Sequence, residues 1–281
     1  MLDFRNIDTQ YEFILGDIRD PEVMLAATKG IDIIIHAAAL HGIHLAQYDP
    51  DEFWQLNVMG TRNVYQAALK NNVTKVIFCS SIDVYGDGIL SNNQAYSCGT
   101  EQNPLLPNHI YGLTKKLGEE LANYYYRVHG ISTVSLRLGM FVAASDLVTY
   151  GFRLLCGGVD ERDVADSMLL AIKNSNINND AFNIVSDVPF TSEDEEELIA
   201  NPARVIEKYY PGAIDIFNQN DIDVKKQLSI WGNRYWLNEK AKRELGFTPS
   251  YNFDGFLKAL KEKNTVYYPF AGLPWWGIKD G

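Results

Sequence analysis

Ile31-Asp32-Ile33-Ile34-Ile35-His36-Ala37-Ala38-Ala39 sets three isoleucines in a row, without alternation, and then breaks into small residues. A strand with one face in water alternates apolar and polar positions, whereas a strand covered on both faces reads as a continuous apolar run. Val76-Ile77-Phe78 repeats the pattern. Strands are expected at Tyr11–Leu15, Ile31–His36, Lys75–Cys79, Thr133–Leu138 and Ala181–Ile184. Helical patterns fall between them at Pro21–Thr28, Pro50–Lys70, Ile110–His129 and Asp160–Asn174. Short buried strands alternating with longer helices predict an α/β fold with a parallel sheet. After about Asp187 the pattern changes to an acidic run, Glu193 to Glu197, and then to helices near Asn238–Leu245 and Phe253–Glu262. This part reads as a smaller substrate lobe.

The 281 residues, 46% of them hydrophobic, suffice for a sizeable core, and no apolar run approaches the roughly 18 residues of a membrane span. A net charge of -11 argues against a broad nucleic-acid or anionic-membrane surface. Cys79, Cys98 and Cys156 form no CxxC pair, which suits reduced structural thiols and no metal site. The first residues lack the zones of a secretory signal, leaving the cytoplasm as the default compartment. Tyr267, Tyr268, Phe270, Trp275 and Trp276 crowd the tail. Packing onto the parent domain is the expectation, with a homodimer contact as the alternative.

In open α/β sheets ligands bind beyond the carboxyl ends of the strands. Those ends carry Gly16-Asp17-Ile18, Ala37-Ala38-Ala39, Ser80-Ser81-Ile82-Asp83 and Arg137-Leu138-Gly139. Each alone also suits a turn or tight packing. Tyr111 and Lys115 stand four apart at the start of a helical run, so they share a face. An ammonium near a phenol favours its ionised form and brings tyrosine into use as an acid/base. The bare Tyr-x-x-x-Lys spacing also describes an ordinary helix surface pair.

Taken in order, these residues resemble the extended short-chain dehydrogenase/reductase superfamily, and within it the NAD-dependent epimerase/dehydratase family. The resemblance rests on Gly16-Asp17-x-Arg19-Asp20, His36-Ala37-Ala38, Asn57-Val58-x-Gly60-Thr61, Ser80-Ser81-x-x-Val84-Tyr85-Gly86 and Tyr111-x-x-x-Lys115. It continues through Val159-Asp160-x-x-Asp163-Val164-Ala165 and Phe182-Asn183-Ile184 to Lys240-Ala241-x-x-Glu244-Leu245-Gly246-Phe247-x-Pro249. It implies a Rossmann-like doubly wound parallel sheet, with the first strands missing, and a smaller C-terminal substrate lobe. Residues 1–145 would form the partial dinucleotide-binding domain, and residues 146–281 mainly the substrate lobe, interleaved with the first.

The resemblance also implies roles. Tyr111 would be the acid/base at the reacting hydroxyl and Ser81 would hydrogen-bond the same oxygen. Lys115 would hold the nicotinamide ribose and lower the tyrosine pKa, and Asn57 would complete the tetrad. Asp17 and Ile18 would face the adenine of NAD or NADP, with Ala37, Ala38, Ala39 and Ser80 lining the cofactor. Apart from the resemblance, His41 and His44 stand three apart just past the strand and are read as lining the substrate pocket, with a structural role as the alternative and a metal pair lacking a third ligand; Asp83 and Met140 are placed at the same pocket, Tyr85 serving there as contact or as packing. The implied reaction is hydride transfer on a nucleotide sugar or related carbohydrate, as an epimerase, dehydratase or reductase. A dehydrogenase of a free sugar acid or polyol, and a non-catalytic, cofactor-poor binding protein of the same fold, are the alternatives.

Two departures matter. The family opens with a Gly-x-x-Gly-x-x-Gly turn that holds the pyrophosphate, and the 21 glycines here contain no such triplet. The expectation is a truncated sequence, the alternative a remnant that holds NAD poorly. The stretch from Gly139 to Asp160 is also short for a nucleotide-sugar site. Arg153, Arg162 and Arg204 are candidates for a diphosphate contact, with salt bridges as the competing role.

Overall fold

The computed structural model describes residues 1–89, 97–232 and 234–273. Its strands are β1 (Leu2–Asp3), β2 (Ile14–Leu15), β3 (Ile33–His36), β4 (Lys75–Ser81), β5 (Ser97–Gly99), β6 (Ser132–Leu138), β7 (Asn179–Ile184) and β8 (Arg234–Trp236). The first helices are α1 (Pro21–Ala27), α2 (Pro50–Phe53), α3 (Thr61–Lys70), α4 (Ile110–His129), α5 (Leu147–Leu154) and α6 (Glu161–Lys173). The later ones are α7 (Glu195–Ala200), α8 (Pro202–Tyr209), α9 (Ala213–Gln219), α10 (Val224–Ser229) and α11 (Phe253–Lys261).

The central sheet is parallel, in the order β3-β4-β6-β7, and is wound on both faces. Val76 packs among Tyr65 and Ala68 of α3 and Ala122 and Tyr125 of α4. Its neighbours Ile77 and Cys79 point the other way, to Val164 and Ala171 of α6. That two-sided burial is why these strands read as continuous apolar runs.

Strand pairing stops at β3. The β1–β2 pair is a separate parallel ladder, although Leu2 and Ile34 pack on one cluster of Ile18, Met24, Val64 and Ala67. Ile35 is therefore exposed on the free edge of β3. The strand expected at Tyr11–Leu15 shrinks to Ile14–Leu15, because its partner β1 offers only two residues to pair with.

Capping fixes the helix ends. Asp20 accepts from the backbone N–H groups of Glu22 and Val23 to start α1, with Pro21 in the first turn. Gly130, at φ 75°, closes α4 in the left-handed conformation that favours glycine. The helix expected at Pro50–Lys70 is interrupted: α2 passes through a π-helical segment, Trp54–Gly60, before α3 begins. The helix expected at Asn238–Leu245 is likewise π-helical over Ala241–Leu245.

A second core gathers Phe152 of α5 and Leu155 just after it, Val205 and Ile206 of α8, Phe217 of α9, and Phe253 and Phe256 of α11. The tail residue Tyr268 stacks on Tyr150 of α5 with ring centroids 4.0 Å apart, and its hydroxyl donates to Glu161. Tyr267 and Phe270 pack against the same group. Trp275 and Trp276 lie outside the described residues. Among the described residues no helix is long and apolar enough to cross a membrane.

Candidate active site

The carboxyl ends of β3, β4 and β6 open toward the start of α4, and Tyr111 sits there in its first turn. Gly112 allows the helix to come so close. A Cβ on Gly112 would lie 2.4 Å from the Asp83 carbonyl oxygen, so a larger residue would push α4 off the turn that follows β4. His109 caps the helix by accepting from Gly112 N–H, and its ring lies parallel to that of Tyr111 at 6.1 Å.

The Tyr111 phenol is 5% exposed. Burial, reinforced by the Asp83 carboxylate, pushes its pKa well above the ordinary phenol value, and a hydrogen bond with Ser81 pulls the other way. The phenol is therefore protonated at neutral pH. The Ser81 hydroxyl also accepts from Asp83 N–H, which holds the turn against β4. Burial raises the Asp83 carboxyl against the pull of His109, of a Ser81 hydrogen bond and of Arg234.

Lys115 is buried one turn below. Its Nζ donates to the Cys79 carbonyl at 2.6 Å and lies 5.9 Å from the Tyr111 ring centroid. Desolvation lowers its pKa to about 8. The expected lowering of the tyrosine pKa by this lysine is not found. Its ammonium is drawn down to the Cys79 backbone, so burial and Asp83 govern the phenol. An ammonium carries three donors, and among the described residues the protein takes one of them here.

Asn57 lies in the π-helical segment, a feature frequent at functional sites. Its carboxamide accepts from Leu40 N–H at 2.7 Å and donates to Leu40 O at 2.9 Å and to Thr114 Oγ1 at 2.9 Å. Thr114 Oγ1 donates in turn to Tyr111 O at 2.8 Å. Asn57 thus links the loop after β3 to the helix that carries Tyr111.

The other sequence candidates divide. Ala37 and Ala38 are exposed beyond β3, with Ala39 half-buried, leaving open backbone there. Asp17 is held by Arg19 through paired side-chain hydrogen bonds, which lower its pKa. For two residues expected at the cofactor the side chain is engaged elsewhere. The Ile18 side chain is core, packed on Met24, Val64 and Ala67, because the small Gly60 leaves room for it. The Ser80 hydroxyl is spent on Glu119 at 2.6 Å, because the strand pleat turns it toward α4.

Beyond β3, the His41 ring lies 5.9 Å from that of Tyr111, and Gly42 lies beside both Tyr111 and Asp83. His44 is turned away. It is buried, its Nδ1 accepts from His41 N–H, and its ring meets Tyr48, so it braces the turn rather than lining a pocket. Met140 is exposed beyond β6. Tyr85 is packing: it is fully buried, donates to Asn183 and accepts from Arg137. Arg137 is also paired with Glu119 at 2.8 Å.

Thr114, His109, Glu119 and Arg234 escaped the sequence reading. Thr114 follows Tyr111 by three, a spacing that puts both on one helix face, and this signal was available. Arg234 reaches the site through β8, whose three residues have no readable period.

Residues 3–149 match the model of the NAD dependent epimerase/dehydratase family. The chain belongs to this family. Its relatives include L-arabinose 1-dehydrogenase (NAD(P)(+)) of Haloferax volcanii, 30% identical over 145 residues, covering 48% of this chain and 54% of that protein. A putative UDP-glucose 4-epimerase of Methanocaldococcus jannaschii is 32% identical over 133 residues, covering 47% of this chain and 42% of that one. Uronate dehydrogenase of Pseudomonas syringae pv. tomato is 31% identical over 123 residues, 44% of this chain and 42% of the relative. The matches to these curated relatives span about half of their length.

Among solved structures, a short-chain dehydrogenase/reductase superfamily protein of Agrobacterium tumefaciens with bound NAD aligns at TM-score 0.67 and 23% identity, covering 94% of this chain and 90% of that one. UDP-N-acetylglucosamine 4-epimerase of Bacillus cereus aligns at TM-score 0.62 and 23% identity, covering 93% and 82%. These likenesses establish the Rossmann-like α/β fold.

Proposed function

We propose that this epimerase/dehydratase family member transfers hydride between NAD or NADP and a carbohydrate carbon, with Tyr111 as the acid/base group. One observation carries the reading. The buried Tyr111 phenol is hydrogen-bonded by Ser81 and lies above a buried ammonium, Lys115, that has donors to spare.

A nicotinamide riboside fits what these residues offer. The two free donors of Lys115 suit ribose hydroxyls, and the exposed backbone at Ala37 and Ala38 admits a flat ligand. The bound nicotinamide supplies the hydride donor or acceptor. The chain's own residues handle the proton. Tyr111, protonated at neutral pH, delivers its proton to a carbonyl oxygen as hydride is added to the carbon, and in the reverse direction its phenolate form takes the proton from the hydroxyl, while Ser81 fixes that oxygen. Asn57, through Thr114, positions the helix that carries both Tyr111 and Lys115. His41, Asp83 and Met140 edge the substrate side. In this reading residues 1–145 serve mainly the cofactor and residues 146–281 mainly the carbohydrate.

The leading substrate class is a nucleotide sugar or related carbohydrate. A free sugar acid or polyol is the second reading, and the three arginines favour it. Arg153 is buried and donates to the Val142 and Val159 carbonyls, Arg162 is paired with Asp160, and Arg204 stands far out in solvent near Glu197. Arg153 and Arg162 are committed to the protein, and Arg204 stands away from the Tyr111 site on the surface.

Calorimetric titration of NAD into the 281-residue chain tests the proposal, with saturable binding expected. Absence of binding would leave the cofactor-poor binding protein. Titration of UDP then separates the substrate classes, since a nucleotide-sugar site binds it and a free-sugar site does not.

A further inference from the structure

The two sides of β8 meet different neighbours, because successive side chains in a strand point to opposite faces. Tyr235 turns into the second core, where its ring meets Phe190. Trp236 turns the other way and packs on Val84 and Tyr85, with Ile82 against the same cluster. Arg234, two residues before Trp236, shares that side. Asp83 stands between Ile82 and Val84, and the Arg234 charge reaches its carboxylate. The same carboxylate and the Tyr111 ring both flank Gly42. Arg234 thus comes into the surroundings of Tyr111 from the C-terminal part of the chain.

Arg234 is partly buried, and among the described residues its guanidinium meets no hydrogen-bond or ion-pair partner. The other cations near Tyr111 are engaged. Arg137 is paired with Glu119, and Lys115 donates to the Cys79 carbonyl one turn below the phenol. A guanidinium holds its N–H donors in a flat fork that fits a carboxylate through two parallel hydrogen bonds. One guanidinium also balances the single charge of a carboxylate. A diphosphate carries more charge, and Arg153, Arg162 and Arg204 are not there to share it. Asp83 sets the orientation: a carboxylate laid against it would meet a like charge, whereas sugar hydroxyls can donate to it.

We propose that Arg234 determines substrate choice by pairing with a carboxylate of the substrate, so that the carbohydrate taken at the Tyr111 site is a free sugar acid. The acid end lies at Arg234, and the hydroxyls face Asp83 and Tyr111. This rests on the reading of Tyr111 as the reacting centre and selects one substrate class within it.

Glucuronate and galacturonate are compared with glucose and galactose, which carry a hydroxymethyl group in place of the carboxylate. Each is titrated into the full chain without NAD, and into Tyr111→Phe with NAD so that nothing turns over, and is followed by ligand-observed NMR. Binding alone is read, so a failure of hydride transfer leaves the result standing. At least one of the two acids should bind saturably, and its neutral counterpart at least about tenfold more weakly. Arg234→Gln should weaken the acid by about tenfold and leave the neutral sugar unchanged. Arg234→Lys, which keeps the charge and loses the fork, should weaken it by a smaller factor, and it decides the matter if Arg234→Gln fails to fold. Arg204→Gln, on the surface away from the site, should bind as wild type does. Equal affinity for acid and neutral sugar, undiminished binding in a folded Arg234 variant, displacement of the acid by UDP, or no saturable binding of either acid overturns the proposal.

Discussion

Asn57 Nδ2 stands 2.9 Å from Thr114 Oγ1, so a carboxamide from the π-helical segment is tied to the residue next to Lys115. The same hydroxyl donates to the Tyr111 carbonyl, and one side chain therefore holds the helix that presents both proposed catalytic groups. Thr114→Val keeps the shape and removes the link. We expect a stability loss of about 1–3 kcal/mol, from the unpaired Asn57 donor. We also expect a fall in kcat larger than any change in KM. Denaturant unfolding and steady-state kinetics check the two parts separately.

Tyr111→Phe removes the proton carrier and leaves the ring. Turnover should drop by about two to four orders of magnitude. Cofactor affinity and unfolding midpoint should stay near wild type. An active Phe variant would take Tyr111 out of the mechanism.

Gly112→Ala places a methyl group against the Asp83 carbonyl, at 2.4 Å before any adjustment. Overpacking of this kind costs about 1–3 kcal/mol, and here it also separates Tyr111 from Ser81 and Asp83. The expected outcome is a lower melting temperature together with lost activity. Unchanged turnover would show that the close approach of α4 is not needed.

Lys115, with its pKa lowered to about 8, loses its charge above that pH. Cofactor affinity should weaken by about fivefold between pH 8 and pH 9 as the ammonium deprotonates. Lys115→Arg stays charged across that window and should show a flat profile. Calorimetric titrations of NAD at several pH values compare the two, and a flat wild-type profile would detach Lys115 from cofactor binding.

His36 and His41 are each lowered to about 3, chiefly by burial and further by the Lys115 charge. The unfolded chain binds these protons below about pH 6.5 and the native chain does not. Stability from this source is complete above pH 6.5 and is lost as pH falls toward 3. Asp163, raised to about 6, acts in the opposite sense between its unfolded value and that pH. His41→Gln should flatten the acid limb by about 1.4 kcal/mol per pH unit relative to wild type. Urea unfolding from pH 7 to pH 4 measures the difference.

The parts of the molecule that could be read in advance are those with a strong local rule behind them. β3 and β4 announce themselves by apolar runs, and α4 starts and stops where His109 and Gly130 cap it. β1, β5 and β8 are two or three residues long, too short for any period to show. Tyr111, Lys115 and Ser81 come together because strand ends and the first turn of α4 meet by topology, which spacing can express. The side-chain directions of Ile18, Ser80 and His44 are not legible in the sequence, because a residue's place in a motif does not fix where its side chain points. Pleat, helix phase and the neighbours that claim each hydroxyl or ring nitrogen decide that, and they exist only after packing.

The π-helical segment at Trp54–Gly60 acts as a phase shifter between two otherwise ordinary helical stretches. A residue adds about 100° of rotation in an α-helix, so one surplus residue sets α2 and α3 out of step by a comparable angle. That offset lets Phe53 be buried among Leu40 and Tyr111 while Val64 and Ala67, farther along, face Ile18 and Met24. Asn57 falls within the offset itself. The amide that braces the site is thus addressed by a count of residues as much as by its own identity, and a single deletion anywhere in the segment would re-aim it without altering a single atom of its side chain.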